Sequence, residues 1–513
     1  MNLRLTRRWA CAAVLGLLLW AALRPAPAAA QDGATPAGRL TEEIAQTPSL
    51  EKNLRVLCDE IGGRLPGTPA MRRAIAWGVN AFHEAGLEQV HTESFTIPNS
   101  WSEGATRVEV LAPVQFTLHA AASGWAGATP EGGIEADVVS GGRGEDGDVA
   151  RLGESAKGKI VLIRSDSIGT FQDMAVEQRR FTVAIREAEK VRAGAVLLMS
   201  TRPRGLLYRH TDVADGRIDP MPSAVVARED GQRIQRLLDA GEKVRMRVAL
   251  PNKIGGPFES QNVVAEIRGR EKPQEVVIIG AHLDSWDLGT GCLDNGCNAA
   301  LVIEVARAIQ AMHPHPRRTV RFILFSGEEE GLLGSWAYVR QHRSELDNIV
   351  AVLVHDIGVG RITGYSLGGR SEMEAPLSEA MAPIASRGAN TDTTDAFFGT
   401  DHFDFLLEGI PTLVANQDTT DYVPNYHAQS DTFDKVDLTE LRNQAGIAAV
   451  VVYNIAERPK RLAKRQNREE VEKLMRDTRL DEQLKFLGLW DEWTSGERGR
   501  QPGPGPLHHA ATQ

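Results

Sequence analysis

Five groups of His, Asp and Glu lie after successive apolar runs in this chain: His282 with Asp284, Asp294, Glu328-Glu329-Glu330, His355-Asp356 and His427. The run at 276–280 leads into His282-Leu283-Asp284, and Asp294 follows in a loop that holds Gly289, Gly291 and Gly296. The run at 320–325 ends in Glu328-Glu329-Glu330, the run at 349–354 ends in His355-Asp356, and the loop from Tyr426 to Asp431 supplies His427. Imidazole beside carboxylate is the ligand mix that a borderline cation such as zinc accepts, whereas an all-oxygen set suits magnesium or calcium. Each piece has a plainer use. The acids can complement a helix N-terminus, a histidine at a strand end can be a satisfied polar residue, and Asp294 can shape a turn. Their recurrence after successive strands points instead to one metal centre.

The elements that must carry these groups follow from the spacing of apolar residues. Buried-type strands over 276–280, 320–325 and 349–354 alternate with helices over 298–312 and 329–342. That order predicts an α/β fold with a mostly parallel central sheet covered on both faces. In such sheets ligands gather beyond the carboxyl ends of the strands, where all five groups lie. His355 is left out of the site, because neighbours on a strand end point to opposite faces. Upstream, 42–90 reads as helical with a Gly/Pro-rich break at 62–69, and 105–120 reads as strand. A glycine-rich stretch at 123–150 marks a boundary. Beyond it, strands at 159–164, 195–199 and 223–227 with helices around 183–192 and 230–238 make a second α/β unit, without an evident reactive constellation.

His282-Leu283-Asp284-Ser285-Trp286-Asp287 with Asp294-Asn295-Gly296, and Glu328-Glu329-Glu330-Gly331-Leu332-Leu333-Gly334-Ser335, resemble the motifs of the two-zinc exopeptidases. These are the family-28 metallopeptidases, which include aminopeptidases and glutamate carboxypeptidases. The resemblance runs from about residue 45 to 457 and implies a three-layer zinc-exopeptidase fold interrupted by an inserted protease-associated α/β domain at 123–250. Gly158 to Ile163 and Ala193-Gly194-Ala195-Val196 are the recognisable pieces of that insert. It further implies two zinc ions per chain: His282 and Asp356 on one, Glu329 and His427 on the other, Asp294 bridging both. Glu328 would be the general base toward a metal-bridging water, and Asp284 would orient His282 through the other ring nitrogen. Asp401-His402 matches a supporting segment, and either Tyr422 or Tyr426 could donate to an oxyanion. The implied substrate is a dipeptide or short peptide, and a homodimer is possible. Which chain end is attacked stays open. Two other chemistries stay open on the same fold: a one-zinc acyltransferase like the glutaminyl cyclases or another amide hydrolase, and a non-catalytic receptor-like binding protein.

Composition bounds the rest. With 42% apolar and 25% charged residues the chain is of ordinary globular type. Its 58 basic against 68 acidic residues give −10, which argues against a nucleic-acid partner. Residues 1–30 have the layout of an export signal: Arg4, Arg7 and Arg8, an apolar run over 9–23, then Ala28-Ala29-Ala30. The run is short of the ~20 residues a spanning helix needs. An exported protein, periplasmic or secreted, without stable membrane insertion is therefore expected. Losing the signal with its four arginines takes the charge to −14. Cys292 and Cys297 flank Asp294 and either close a small disulfide or pack as thiols. The domain reading is 1–30 signal, 31–122 first peptidase part, 123–250 insert, 251–460 catalytic part, and 461–513 a helical extension with a tail, disordered from Thr494 onward.

Overall fold

Alternate residues of the central strands belong to different cores, and that alternation builds the layers. In the computed structural model, which describes residues 35–502, seven strands form the central sheet. They are β1 (Gln89–Ile97), β2 (Phe258–Ile267), β3 (Lys272–His282), β4 (Arg318–Phe325), β5 (Ile349–Val354), β6 (Ile362–Ser366) and β7 (Thr412–Gln417). Along β3, Val277, Ile279 and Ala281 face one core while Val276 and Ile278 face another, as a two-residue period requires. Helices Cys297–Gln310 and Leu438–Glu457 cover the first face. Leu333–Gln341 and His402–Leu407 cover the second through Tyr338 and Phe405. The residues of Cys297–Gln310 are almost all buried, consistent with a helix that is apolar nearly all round.

The strand order is β1-β2-β4-β3-β5-β7-β6. The middle four strands, β4-β3-β5-β7, pair in parallel; β2 and β6 run opposite to them, and edge strand β1, antiparallel to β2, shares their direction. The expected mostly parallel sheet is thus present, with two reversed strands added toward its margins and the parallel pairs where the metal-type residues emerge. The helix expected over 329–342 begins only at Leu333. Gly331 (φ 119°) and Leu332 (φ 62°) take left-handed backbone conformations there, which no α-helix can contain.

A second sheet of eight strands holds the inserted unit. It includes Arg107–Ala112, Phe116–Leu118 and Ala120–Ala122 as well as strands from Ile134–Ser140 to Arg245–Ala249, so it starts before the expected boundary at 123. The strand expected over 105–120 is split by the turn between its first two pieces. At the other end, the tail expected to be disordered from Thr494 is packed through residue 500. Thr494 and Ser495 close helix Trp490–Ser495, Arg498 is buried, and Arg500 N–H donates to the Leu407 carbonyl at 3.1 Å. The anchor is a polar side chain, so apolar content gave no signal of it. The export signal lies outside the described residues. Among those described, no helix is long and apolar enough to cross a membrane.

Edge strand β1 is tied to the second face by an ion pair, His342 Nε2 to Glu93 Oε1 at 3.0 Å. Burial pulls the His342 pKa down, but the hydrogen bond and charge of Glu93 outweigh it and raise it above 6.5. Burial pushes Glu93 up, and His342 and His91 bring it below 4.5. The histidine's contribution is complete below its unfolded value and lost as pH climbs through the raised folded value. The carboxylate's contribution is present above its unfolded value and lost as pH falls through the lowered one. His342→Ala should therefore cost about 1 kcal/mol in urea unfolding near pH 5.5 and clearly less near pH 9.

Candidate active site

Each metal-type residue leaves a different element and arrives at one place. His282 is the last residue of β3, Asp356 follows β5, and Asp294 lies in the turn before helix Cys297–Gln310. Glu329 sits in the turn after β4, and His427 lies in the loop after β7 with φ 57°. His282 Nε2 is 2.8 Å from Asp356 Oδ1 and 3.1 Å from Asp294 Oδ1. His427 Nε2 is 3.0 Å from Glu329 Oε2 and 3.2 Å from Asp294 Oδ2. Asp294 thus offers one oxygen to each of two triads, His282/Asp294/Asp356 and Asp294/Glu329/His427. Within each triad the ligand atoms lie within 4.8 Å of one another.

The electrostatics of the cluster call for cations. Asp294, Glu329 and Asp356 are buried and Glu328 is half-buried. Among the described residues no Lys or Arg hydrogen-bonds to any of the four, and Glu329 Oε1 has no hydrogen-bond partner. Buried carboxylates are costly without a compensating charge. Burial and neighbouring acids accordingly hold Glu328 and Glu329 well above the usual carboxylate range. Burial pushes Asp294 up, but hydrogen bonds from His282 and His427 bring it far below that range. Nitrogen and oxygen donors in two three-ligand groups around a shared carboxylate fit zinc-type ions.

The surroundings fix these groups in place. His282 Nδ1 faces the main-chain carbonyl of Asp284 at 3.0 Å, while the nearest Asp284 carboxylate oxygen is 3.9 Å away. The expected orienting contact therefore comes from the Asp284 backbone, and its carboxylate accepts from Glu329 N–H at 3.2 Å. Asp431 accepts from Leu293 N–H (2.6 Å) and Asp294 N–H (3.1 Å), which aims the shared carboxylate. Tyr422 OH donates to Asp294 Oδ2 at 3.0 Å, and the Tyr426 ring stacks on His427 with centroids 3.6 Å apart. Asp401 and His402 are buried close by, and burial raises the first and lowers the second, to about 3. His355 points away into the core against Tyr365.

Over this cluster lies a cavity of about 750 Å³, lined by Glu328, Glu329, Trp286 and His427 from the peptidase part, Phe171 from the insert, and Phe486 from the C-terminal extension. The insert reaches the motif loop through Gly124: a Cβ there would meet the Trp286 ring at 2.2 Å.

The model of peptidase family M28 matches residues 262–452. Carboxypeptidase Q from Mus musculus is 30% identical over 415 residues, 80% of this chain and 86% of that protein. The chain belongs to peptidase family M28. As an M28 member it is a metallopeptidase. The crystal structure of a peptidase M28 precursor from Shewanella amazonensis SB2B matches with TM-score 0.77 at 26% identity, over 84% of this chain and 98% of that one. BSAP, a zinc aminopeptidase from Bacillus subtilis, shares the fold with TM-score 0.63 at 21% identity, over 81% of this chain and 97% of that one.

Several residues of this M28 peptidase that support the site are not legible as functional in sequence. Arg64, fully buried, donates to the carbonyls of Gly62, Leu283, Thr290 and Gly291 and so holds both sides of the motif loop. Burial pushes its pKa down to about 10. Its one signal was position, a lone cation in the Gly/Pro-rich break. The cysteines also pair differently from the expected choices: Cys58 bridges Cys292 with Cα atoms 5.6 Å apart, and Cys297 stays free and buried. Cys297 opens a helix and directs Sγ toward the Leu293 carbonyl at 3.4 Å, away from Cys292. Finally, the inserted unit is not inert: His210 touches His427.

Proposed function

We propose that the protein is an exported two-zinc exopeptidase that hydrolyses dipeptides or short peptides, with Glu328 as general base. The observation that carries this reading is the shared carboxylate: Asp294 serves both ligand triads while Glu328 belongs to neither and lines the cavity. His282 and Asp356 would hold one ion, Glu329 and His427 the other, and Asp294 both. When bound, the ions supply Lewis acidity that makes water more acidic and polarises the scissile carbonyl. Glu328 Oε takes the proton of the attacking water and returns it to the leaving amine. Tyr422 is committed to Asp294, so Tyr426, which faces the cavity, is the tyrosine suited to donate to the oxyanion. The enclosure by insert and extension favours short substrates. The eight-stranded inserted unit suits a protease-associated domain, and the Cys58–Cys292 disulfide suits an oxidising compartment.

Metal analysis of the purified protein tests this, together with a panel of free dipeptides and peptides blocked at either end. Two zincs per chain are expected, with hydrolysis abolished by a chelator and restored by zinc. The metal-free protein should also melt at lower temperature, since an ion held at ~1,000 times its Kd adds about 4 kcal/mol. Hydrolysis that persists without metal overturns the mechanism.

A further inference from the structure

Segment 207–210 of the inserted unit is built against the loop that carries His427. Arg209 N–H donates to the His427 carbonyl at 3.1 Å, and Gln429 N–H donates to the Leu207 carbonyl at 3.0 Å. Arg202 Nη2 donates to the Tyr426 carbonyl at 3.1 Å. Within this frame His210 Nδ1 lies 2.8 Å from His427 Nδ1. The other nitrogen of His427, Nε2, is the one facing Asp294 and Glu329. A ligating Nε2 needs its lone pair free, so the proton of the neutral ring sits on Nδ1 and must be donated somewhere. His210 Nδ1 is the acceptor at that position. Its own proton is then on Nε2, which makes no hydrogen bond among the described residues and has the Glu177 carboxylate as a charge 3.9 Å away.

Glu177 is a fixed negative charge beside that ring. It is buried, bound by Arg202 Nη1 at 2.9 and 3.1 Å and by Thr201 Oγ1 at 2.7 Å, and it also accepts from Tyr208 OH. The His210 ring is itself confined between Tyr208 and Tyr426, with centroids 5.1 and 5.5 Å away. His282, by contrast, is oriented wholly within the peptidase part, by Asp284.

We infer that His210 is a positioning residue for the Glu329–His427 metal site, so that the inserted unit sets the affinity of one of the two sites and not the other. This rests on the two-metal reading above. Zinc titration of the metal-free full chain against a chelating indicator tests it. The parent should take up two equivalents. His210→Ala should bind the first within about twofold of the parent and the second about 10–100-fold more weakly. His210→Gln, whose amide oxygen can accept from His427 Nδ1, should recover most of the loss. The inference is overturned if His210→Ala keeps both parental affinities. It is equally overturned if both sites weaken alike, which is the mark of a merely structural role, or if His210→Gln binds no better than His210→Ala. A parent that takes up a single equivalent defeats the two-metal reading itself, before any variant is compared.

Discussion

Glu328→Gln should lower kcat by about 10²–10⁴ and leave the metal content of the protein unchanged. The two adjacent acids are turned to different tasks by the backbone between β4 and the next helix. The Glu328 carbonyl accepts from the N–H groups of Gly331 and Leu332, each at 2.9 Å. This closes a tight turn that sends Glu329 down to His427 and leaves Glu328 at the cavity wall. The Glu328 carboxylate has no hydrogen bond or ion pair among the described residues, so an amide of the same shape disturbs no packing. What the amide cannot do is accept a proton from water. Glu329→Gln provides the contrast, because it alters a proposed ligand and should cost metal together with turnover. Parallel kinetics and metal analysis separate the two. Near-parental turnover in Glu328→Gln sinks the base assignment, and metal loss in that variant makes Glu328 a ligand instead.

The legible part of this site is the part built by short-range pattern. His282 ends β3, and Glu329 and Asp356 follow β4 and β5, so closely that naming the strands also located the candidate ligands. Asp294 and His427 sit on loops, but their motif neighbours marked them. The supporting contacts join residues far apart in the chain, and no local pattern reports such a meeting. Cys58 and Cys292 are 234 residues apart. Arg64 reaches carbonyls more than 200 residues away, and His210 meets His427 across the boundary between insert and peptidase. Helix limits failed for a local reason that composition hides: Glu329 to Leu332 look helical, yet the conformations of Gly331 and Leu332 forbid it. The two reversed strands, β2 and β6, leave no mark in the sequence, because strand burial reports depth and not direction.

The C-terminal segment presents the same lesson with a large energetic consequence. Arg498→Ala should destabilise the folded protein by about 3–5 kcal/mol, read as a lower first unfolding transition. Arg498 and Asp404 are 1% and 0% exposed in their side chains. The guanidinium meets the carboxylate through Nε (2.7 Å) and Nη2 (3.1 Å), a two-point geometry that fixes both groups. Removing the cation leaves Asp404 buried with, among the described residues, only the Ser335 hydroxyl, 3.0 Å away, as a remaining side-chain donor. Most of the cost lies in that stranded charge rather than in the attraction lost, so Arg498→Met combined with Asp404→Leu should regain most of the stability. The pair also governs the turn that carries the acids: Arg498 Nη2 donates to the Gly331 carbonyl at 3.2 Å, and Ser335 binds both Asp404 and the Leu332 carbonyl. The single variant should therefore lose turnover at temperatures where it is still folded, and the double variant should lose it too, since neither retains a donor to Gly331. An Arg498→Ala protein within 1 kcal/mol of its parent would show that the tail rests on the fold without anchoring it.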